Sequence, residues 1–245
     1  MSAPSRRERL RTAAVSEIKD GARRLLVTGG IEAVSLRAIA RDMGMTAPAI
    51  YRYFPSLEAL IAGLAGDLYD ELRHTVETAR DAAGPEPAGK LLAMCRAMRR
   101  WAVEHPAEFT LIFGSPVPGV VAFAEQCADA DHPGARFGAA FLGPFVALTR
   151  GATLRVPPPE AVQQHLAGHL APLFARHGDL PVEVAYAFLS AWARLYGLVA
   201  MEVFGHLAWA VDDPEALFET ELAAMLAQLA PDHSGDALPP GAARH

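Results

Sequence analysis

The chain has 245 residues, 51% apolar and 20% charged, with a formal net charge of -6. That composition excludes wholesale disorder, which needs few apolar groups and many charges, and the length suits one large domain or two modest ones. Two cysteines, Cys95 and Cys127, cannot build a disulfide framework, and there is no CxxC zinc pair. The opening MSAPSRRERL lacks the apolar core of a secretion signal. No apolar run approaches the roughly 20 residues that span a bilayer; the longest are broken by Pro144 and Arg150, or by Arg194 and Glu202. The expectation is a reduced, cytoplasmic protein with no membrane partner.

The charge is unevenly spread. Residues 1–60 carry ten Lys/Arg against six Asp/Glu, and the remaining 185 carry twelve against 22. A basic end on an acidic body suggests that the first segment meets a polyanion and the rest does not. Chance clustering accounts for the charge alone equally well. Twenty of the 22 basic residues are Arg and Asn is absent, a bias of the whole chain and no mark of a site.

Helical apolar spacing with Pro/Gly punctuation runs throughout, so the fold class is all-α. The first helix is expected from about Arg6 to Thr28, with Val15, Ile18, Ala22, Leu25 and Leu26 on one face and Gly29–Gly30 as its stop. Ser35 caps a short helix to about Met43, followed by Gly44. Thr46 caps a second, from Ala47 to Phe54. Pro55 ends it, and Ser56 caps a long helix to about Ala82. After the break AAGPEPAGK, helices are expected at about 88–104, 106–113, 117–128, 133–150, 159–177, 182–206 and 214–229. Residues 231–245 read as a disordered tail. No internal repeat of fixed period is present.

Residues 35–54, SLRAIARDMGMTAPAIYRYF, form two short helices around a Gly-containing turn, the helix-turn-helix pattern. The first helix buries Leu36, Ile39 and Ala40, and the small Ala40 lets the second cross closely. The second buries Ile50 and Phe54, with Met43 and Met45 packed about the turn. Its other face pairs Pro48 with Arg52 and Ala49 with Tyr53, with Tyr51 at the flank. Two tyrosines and an arginine suit a helix set into a major groove. Arg52 can reach a guanine edge or a phosphate, the tyrosine hydroxyls can bond phosphates, and Pro48 and Ala49 can touch a thymine methyl. Thr46 and Ala47 place backbone N–H groups at the helix start. Ser35 and Arg37 can grip the adjoining backbone or a base edge. The competing reading is a helical hairpin packed on a neighbour.

These residues resemble the DNA-binding domain of the TetR family of bacterial transcriptional regulators over about residues 10–60. The likeness rests on a long first helix ending in GGIEAVS, then LRAIARDMGM, then TAPAIYRYFPSLEAL. It implies a three-helix reading head, residues 6–55, and an effector-binding and dimerisation domain, residues 56–230, joined by the helix from Ser56. Family members commonly carry a phosphate-touching Lys just after the recognition helix. Here that position is Leu57, so contact falls more on Arg52, Tyr51 and the cluster Arg6, Arg7, Arg9 and Arg11.

One short helix reads only a few base pairs, so two-fold pairing and a near-palindromic operator are expected. Helix 182–206 is apolar on nearly all sides. Its small stripe Ser190, Ala193, Gly197 and Ala200 lets two helices approach closely. Beside it lies a large stripe with Phe188, Trp192, Leu195 and Val199. With Phe218, Leu222 and Met225 of the last helix, it suggests a four-helix homodimer interface; an ordinary core helix is the alternative. FLSAWARLYGLVAMEVFGHL also resembles the C-terminal domain of a TetR subgroup with a Trp-His-Gly signature, here Trp192, Tyr196 and Gly197, with Tyr in place of His.

Pocket candidates are Met94, Met98 and Trp101 on one helical face, Phe109 and Phe113 before a Gly-Ser-Pro break, Phe137, Phe141 and Phe145 beside Gly138 and Gly143, and Trp192 and Tyr196. Large rings next to glycines can line a cavity for an apolar or aromatic effector. Core packing explains each individually.

No GxSxG, P-loop or dinucleotide signature is present, so neither an enzyme nor a cofactor is expected. His165 and His169 come nearest to a metal motif, and read better as a solvated pair; no metal is expected. The resulting expectation is a ligand-responsive repressor released from its operator by a small apolar effector, against a helical binding protein that does not touch DNA.

Overall fold

The computed structural model describes residues 5–114, 131–154, 156 and 180–229. The helices expected at 117–128 and 159–177, the tail 231–245, Cys127, His165 and His169 lie outside the described residues. Among the described residues there is no strand, and the all-α expectation stands. In chain order the helices are α1 (Arg6–Gly29), α2 (Leu36–Asp42), α3 (Ala47–Ile50), α4 (Leu57–Ala82), α5 (Pro87–Glu104), α6 (Pro106–Phe113), α7 (Pro133–Ala140), α8 (Leu142–Thr149), α9 (Val182–Val203) and α10 (Pro214–Leu229), with a 3-10 turn at Ile31–Ala33. They fall into two compact units, divided at Glu71/Leu72 and again at Glu104/His105. The first therefore takes α1–α3, the start of α4, and α6.

In the first unit, local chemistry sets the helix ends. Ser5 and Glu8 form a reciprocal capping box at the start of α1: the Glu8 N–H donates to Ser5 Oγ at 3.2 Å and the Ser5 N–H to Glu8 Oε2 at 2.6 Å. Gly30, at φ +72°, closes the other end by donating its N–H to Leu26 O at 2.9 Å. Ser35 Oγ accepts from the Ala38 N–H at 3.2 Å and so starts α2. Gly44, at φ +64°, makes the turn that follows. Ser56 Oγ accepts from the Ala59 N–H at 3.2 Å at the head of α4.

The interior of this unit holds Ile18, Ala22 and Leu26 of α1, Leu36, Ile39 and Ala40 of α2, then Ile50 and Phe54. Val15 and Leu25, expected beside them, are half-buried. A Cβ at Gly21 would sit 3.2 Å from Ile39 Cγ2, so the missing side chain lets α1 lie against α2. The Met45 N–H donates to Ala40 O at 2.7 Å, tying the turn back onto α2. Truncating Ile39, which is fully buried, to Ala would cost about 2–5 kcal/mol.

In the second unit α9 packs on α5, α8 and α10, and α5 packs on α8. The single helix expected over 133–150 is two, broken at Phe141. Pro144 has no N–H, and its ring conflicts with the carbonyl four residues back, so the α-helical ladder cannot run through. α9 stops at Val203, short of His206. Gly205, at φ +71°, ends it: its N–H donates to Glu202 O at 3.0 Å and the His206 N–H to Met201 O at 2.8 Å.

By length and composition alone α9 could cross a membrane, which corrects the expectation that no segment approaches that limit. Its interior charges are paired within the unit. Arg194 reaches Glu221 at 2.8 Å, and Glu202 accepts two bonds from Arg99, both at 2.8 Å. Arg99 also meets Glu215 at 3.3 Å, and Arg96 forks onto Glu219 at 2.8 and 2.6 Å. These pairs fix α5 to α9 and α10.

Candidate nucleic-acid interface and apolar cavity

The first candidate site is the outer side of α2 and α3. α3 is a single turn, Ala47–Ile50, where the sequence suggests a helix to Phe54. Residues 51–53 continue as tighter turns, with Arg52 N–H to Ala49 O at 3.3 Å and Tyr53 N–H to Ile50 O at 3.0 Å. Pro55 disfavours helical geometry at Phe54, and the chain tightens instead. Thr46 occupies the N-cap position, but its hydroxyl makes no cap bond, which corrects the expected cap.

Ile50 is fully buried and Phe54 is 8% exposed, so the short helix is nailed down from inside. Outside, Arg37, Thr46, Pro48, Tyr51 and Arg52 are exposed, while Ser35, Ala49 and Tyr53 are half-buried. Ala47 lies at the head of α3. Arg11 of α1 stacks on the Tyr53 ring at 5.7 Å, which brings one of the N-terminal arginines to this segment. Arg37, Thr46, Pro48, Tyr51 and Arg52 therefore protrude, Ala49 and Tyr53 are partly covered, and the Ser35 hydroxyl is spent on capping α2. Leu57, in place of the usual lysine, is half-buried at the start of α4.

The same unit holds an ion cluster with no local sequence signal. Arg23 of α1 donates Nη1 and Nη2 to Glu71 of α4 at 2.6 and 3.1 Å, and Nε to Glu108 of α6 at 3.0 Å. Glu108 is 3% exposed. The Arg23 pKa is raised, chiefly by the bonds to Glu71, with burial opposing. Lys19 pairs with Asp67 along the same two helices.

The second candidate site is an apolar cavity of about 70 Å³ in the second unit. Leu91, Leu92 and Cys95 of α5 form one wall, and Phe141, with Phe145 and Leu148 of α8, another. Phe188, Ala191, Trp192 and Leu195 of α9 and Leu222, Met225, Leu226 and Leu229 of α10 complete it. The Cys95 thiol and the Trp192 indole N–H are the only polar side-chain groups among them, and burial pushes the thiol up to about 12. The thiol is neutral at physiological pH.

Of the expected pocket residues, Phe141, Phe145 and Trp192 line this cavity. Met94, Met98 and Trp101 do not; they are buried on another side of α5. Phe109 and Phe113 belong to the first unit, where Phe113 meets Tyr69 edge-on at 5.6 Å and the Tyr69 hydroxyl donates to Ile112 O at 2.7 Å. Phe137 is buried against Trp192 and Phe141 without facing the cavity. Tyr196 is half-buried outside it, and Gly138 and Gly143 do not open onto it.

The expected dimer residues also divide. Ser190 and Ala193 are exposed, and no described atom lies within 4 Å of where a Cβ at Gly197 would be. Phe188, Ala200, Phe218, Leu222 and Met225 are buried in the chain's own interior, and all but Ala200 and Phe218 line the cavity. Their spacing signalled burial, and one protomer suffices to supply it. Leu91, Leu92, Cys95, Leu148 and Ala191 also line the cavity without a sequence signal for it, and Leu226 and Leu229, whose spacing suggests an apolar surface of the last helix, line it too.

Residues 18–64 match the model for bacterial regulatory proteins of the tetR family, and residues 91–225 that for a tetracyclin repressor-like C-terminal domain. The HTH-type transcriptional regulator Rv1816 of Mycobacterium tuberculosis is 34% identical over 219 residues, 88% of this chain and 92% of its own length. A Mycobacterium bovis regulator, Mb1846, matches to the same extent. SCO4313, assigned as a regulatory protein, superposes at a TM-score of 0.70 with 30% identity, covering 92% of this chain and all of its own. A Rhodococcus sp. RHA1 protein of unknown function shares the fold at a TM-score of 0.58 and 19% identity, covering 88% of this chain and 95% of its own.

Proposed function

The chain belongs to the TetR family of DNA-binding transcriptional regulators, which are not enzymes, and from that premise we propose that it is a dimeric repressor gated by a small apolar effector. The observation that carries this reading is the protruding set Pro48, Tyr51 and Arg52 on a turn anchored by Ile50 and Phe54.

Arg52 reads a guanine edge or holds a phosphate, Tyr51 and Tyr53 bond phosphates, and Pro48 and Ala49 meet a thymine methyl. Thr46 and Ala47 turn backbone N–H groups to the sugar-phosphate chain. Arg37 grips the strand beside them, and Arg11 is held ready by Tyr53. Two copies paired through the Ser190, Ala193 and Gly197 side of α9 set two reading heads about 34–36 Å apart, so the operator is a palindrome. The effector occupies the larger helical unit and prefers a form in which that separation is wrong, so it lowers DNA affinity by linkage. α4, which runs from one unit into the other, carries the change. The protein works in the cytoplasm, where its operator is.

The test is a gel-shift series on duplexes enriched from a random pool by the full-length chain. Tyr51→Ala weakens binding about tenfold or more while leaving the circular dichroism unchanged. A footprint on the enriched duplex shows two half-sites one helical turn apart. Equal binding by Tyr51→Ala and the parent, or failure to enrich any duplex, refutes the reading.

A further inference from the structure

We propose that Arg23 is a positioning residue for operator reading: by holding Glu71 and Glu108 together against α1, it fixes the spacing at which the paired reading heads accept their half-sites. This rests on the dimeric, DNA-reading proposal above and adds to it a residue that sets the geometry of the reading.

Connectivity singles out this guanidinium. The chain leaves the first unit after Glu71 of α4 and re-enters it at His105, just before α6. Glu71 is thus the last residue of α4 in that unit, and Glu108 lies in the first turn of α6. Arg23 bonds both, although they stand 48 and 85 positions away in the sequence. One side chain therefore pins both passages of the chain to α1, against which α2 packs. Its chemistry suits the task. Nη1 and Nη2 fork onto Glu71 at 2.6 and 3.1 Å, and Nε meets Glu108 at 3.0 Å. A planar guanidinium gripping two carboxylates fixes angle as well as distance, which non-directional apolar contact does not. Lys19 and Asp67 add a second rung one turn earlier on α1 and α4, so those helices are held in register at two points. α6 is tied to α4 by the Tyr69 hydroxyl, which donates to Ile112 O at 2.7 Å, and to α1 through Glu108.

Stability alone does not account for the pair. Burying a carboxylate beside a guanidinium costs desolvation that their attraction only roughly offsets, and replacing both by packed apolar side chains is often neutral or stabilising. Glu108 is nonetheless a buried carboxylate whose neighbours Phe109, Leu111 and Ile112 are apolar and buried. What the ion pair supplies beyond an apolar replacement is a defined angle between α1, α4 and α6. A rigid head meets a half-site at one spacing without losing conformational freedom on binding, whereas a loosened one meets several spacings and loses more freedom at each.

The experiment measures binding of the full-length chain to duplexes in which two copies of the enriched half-site are separated by every spacer up to about ten base pairs, one helical turn, and to a duplex with a single half-site. Arg23→Met/Glu108→Leu removes the ion pair without stranding a charge and leaves the net charge unchanged. Glu71→Gln weakens the more exposed arm and spares the buried one. The parent should favour one spacer about tenfold or more over those one or two base pairs longer or shorter. The double variant, folded by circular dichroism, should bind the same spacers within about threefold of one another and keep the parent's affinity for the single half-site. A folded double variant with the parent's spacer profile overturns the proposal, and so does one that loses affinity equally for single and paired half-sites, since that is damage to the head and not to its placement. Should the double variant fail to fold, Glu71→Gln decides: a profile flattened about threefold or more supports the proposal, and an unchanged one overturns it. A parent that enriches no duplex overturns the DNA-reading proposal and this one together, whereas a parent that binds paired half-sites with no preferred spacer overturns this one alone.

Discussion

Replacing Arg23 with Met tests whether the ion cluster that joins α1, α4 and α6 is structural. Arg23 gives Nε to Glu108 at 3.0 Å and forks onto Glu71, and Glu108 is 3% exposed. Methionine keeps much of the aliphatic length and removes the guanidinium, stranding a carboxylate whose other near partner is His105 Nδ1 at 3.7 Å. Breaking a buried pair costs about 3–5 kcal/mol. The Glu71 arm is 38% exposed and contributes about 1 kcal/mol or less, and Arg23 is itself 31% exposed, so solvent relieves part of the burial. The net expectation is a loss of about 2–4 kcal/mol. Urea denaturation at neutral pH, followed by far-ultraviolet circular dichroism, measures it. Adding Glu108→Leu to Arg23→Met removes the stranded charge and should recover about half or more of the loss, a coupling readable from the double-mutant cycle. A loss below about 0.5 kcal/mol, or a second substitution that deepens it additively, would refute the reasoning.

Two further outcomes follow from the second unit. The Glu219 carboxyl is held below its usual range, chiefly by the Arg96 hydrogen bonds, so its contribution is present above the unfolded carboxylate pKa and is lost as pH falls through the lowered folded value. Arg96 is about half exposed, so the stability gap between the parent and Glu219→Gln should be under about 1 kcal/mol at neutral pH and should close at acid pH; a gap that widens on acidification would contradict the sign. Gly197→Asp places a charge on α9 where no described atom lies within 4 Å of the added Cβ. The variant should keep the parent's melting temperature at low concentration yet sediment as a monomer, and a dimer of undiminished stability would move the interface elsewhere.

Helix starts were legible because capping is local chemistry: Ser35 and Ser56 do what their positions suggest. So was the inside of the reading head, where Ile39, Ala40, Ile50 and Phe54 are buried. The far end of α3 was less legible, since apolar spacing does not separate an α-turn from a tighter one. Pro144 is visible in the sequence, yet apolar helical spacing runs straight through it from 133 to 150. The cavity was only half legible. Periodicity says that Met94 and Phe188 turn inward, but not that one faces packed atoms and the other a void. Phe218 and Leu222 looked available to a partner because their own chain's use of them depends on α5 and α9, more than a hundred residues and about twenty residues away. Arg23 and Glu108 are 85 positions apart, beyond any local pattern.

The most direct measurement is the salt dependence of duplex binding, by fluorescence anisotropy on the enriched operator, for the parent and Arg52→Ala. The parent's affinity should fall steeply as salt rises, and Arg52→Ala should bind about tenfold or more weakly while its circular dichroism is unchanged. Salt-insensitive binding by the parent, or equal affinity for the two proteins at every salt concentration, would contradict the claim that the protruding face of α3 reads DNA.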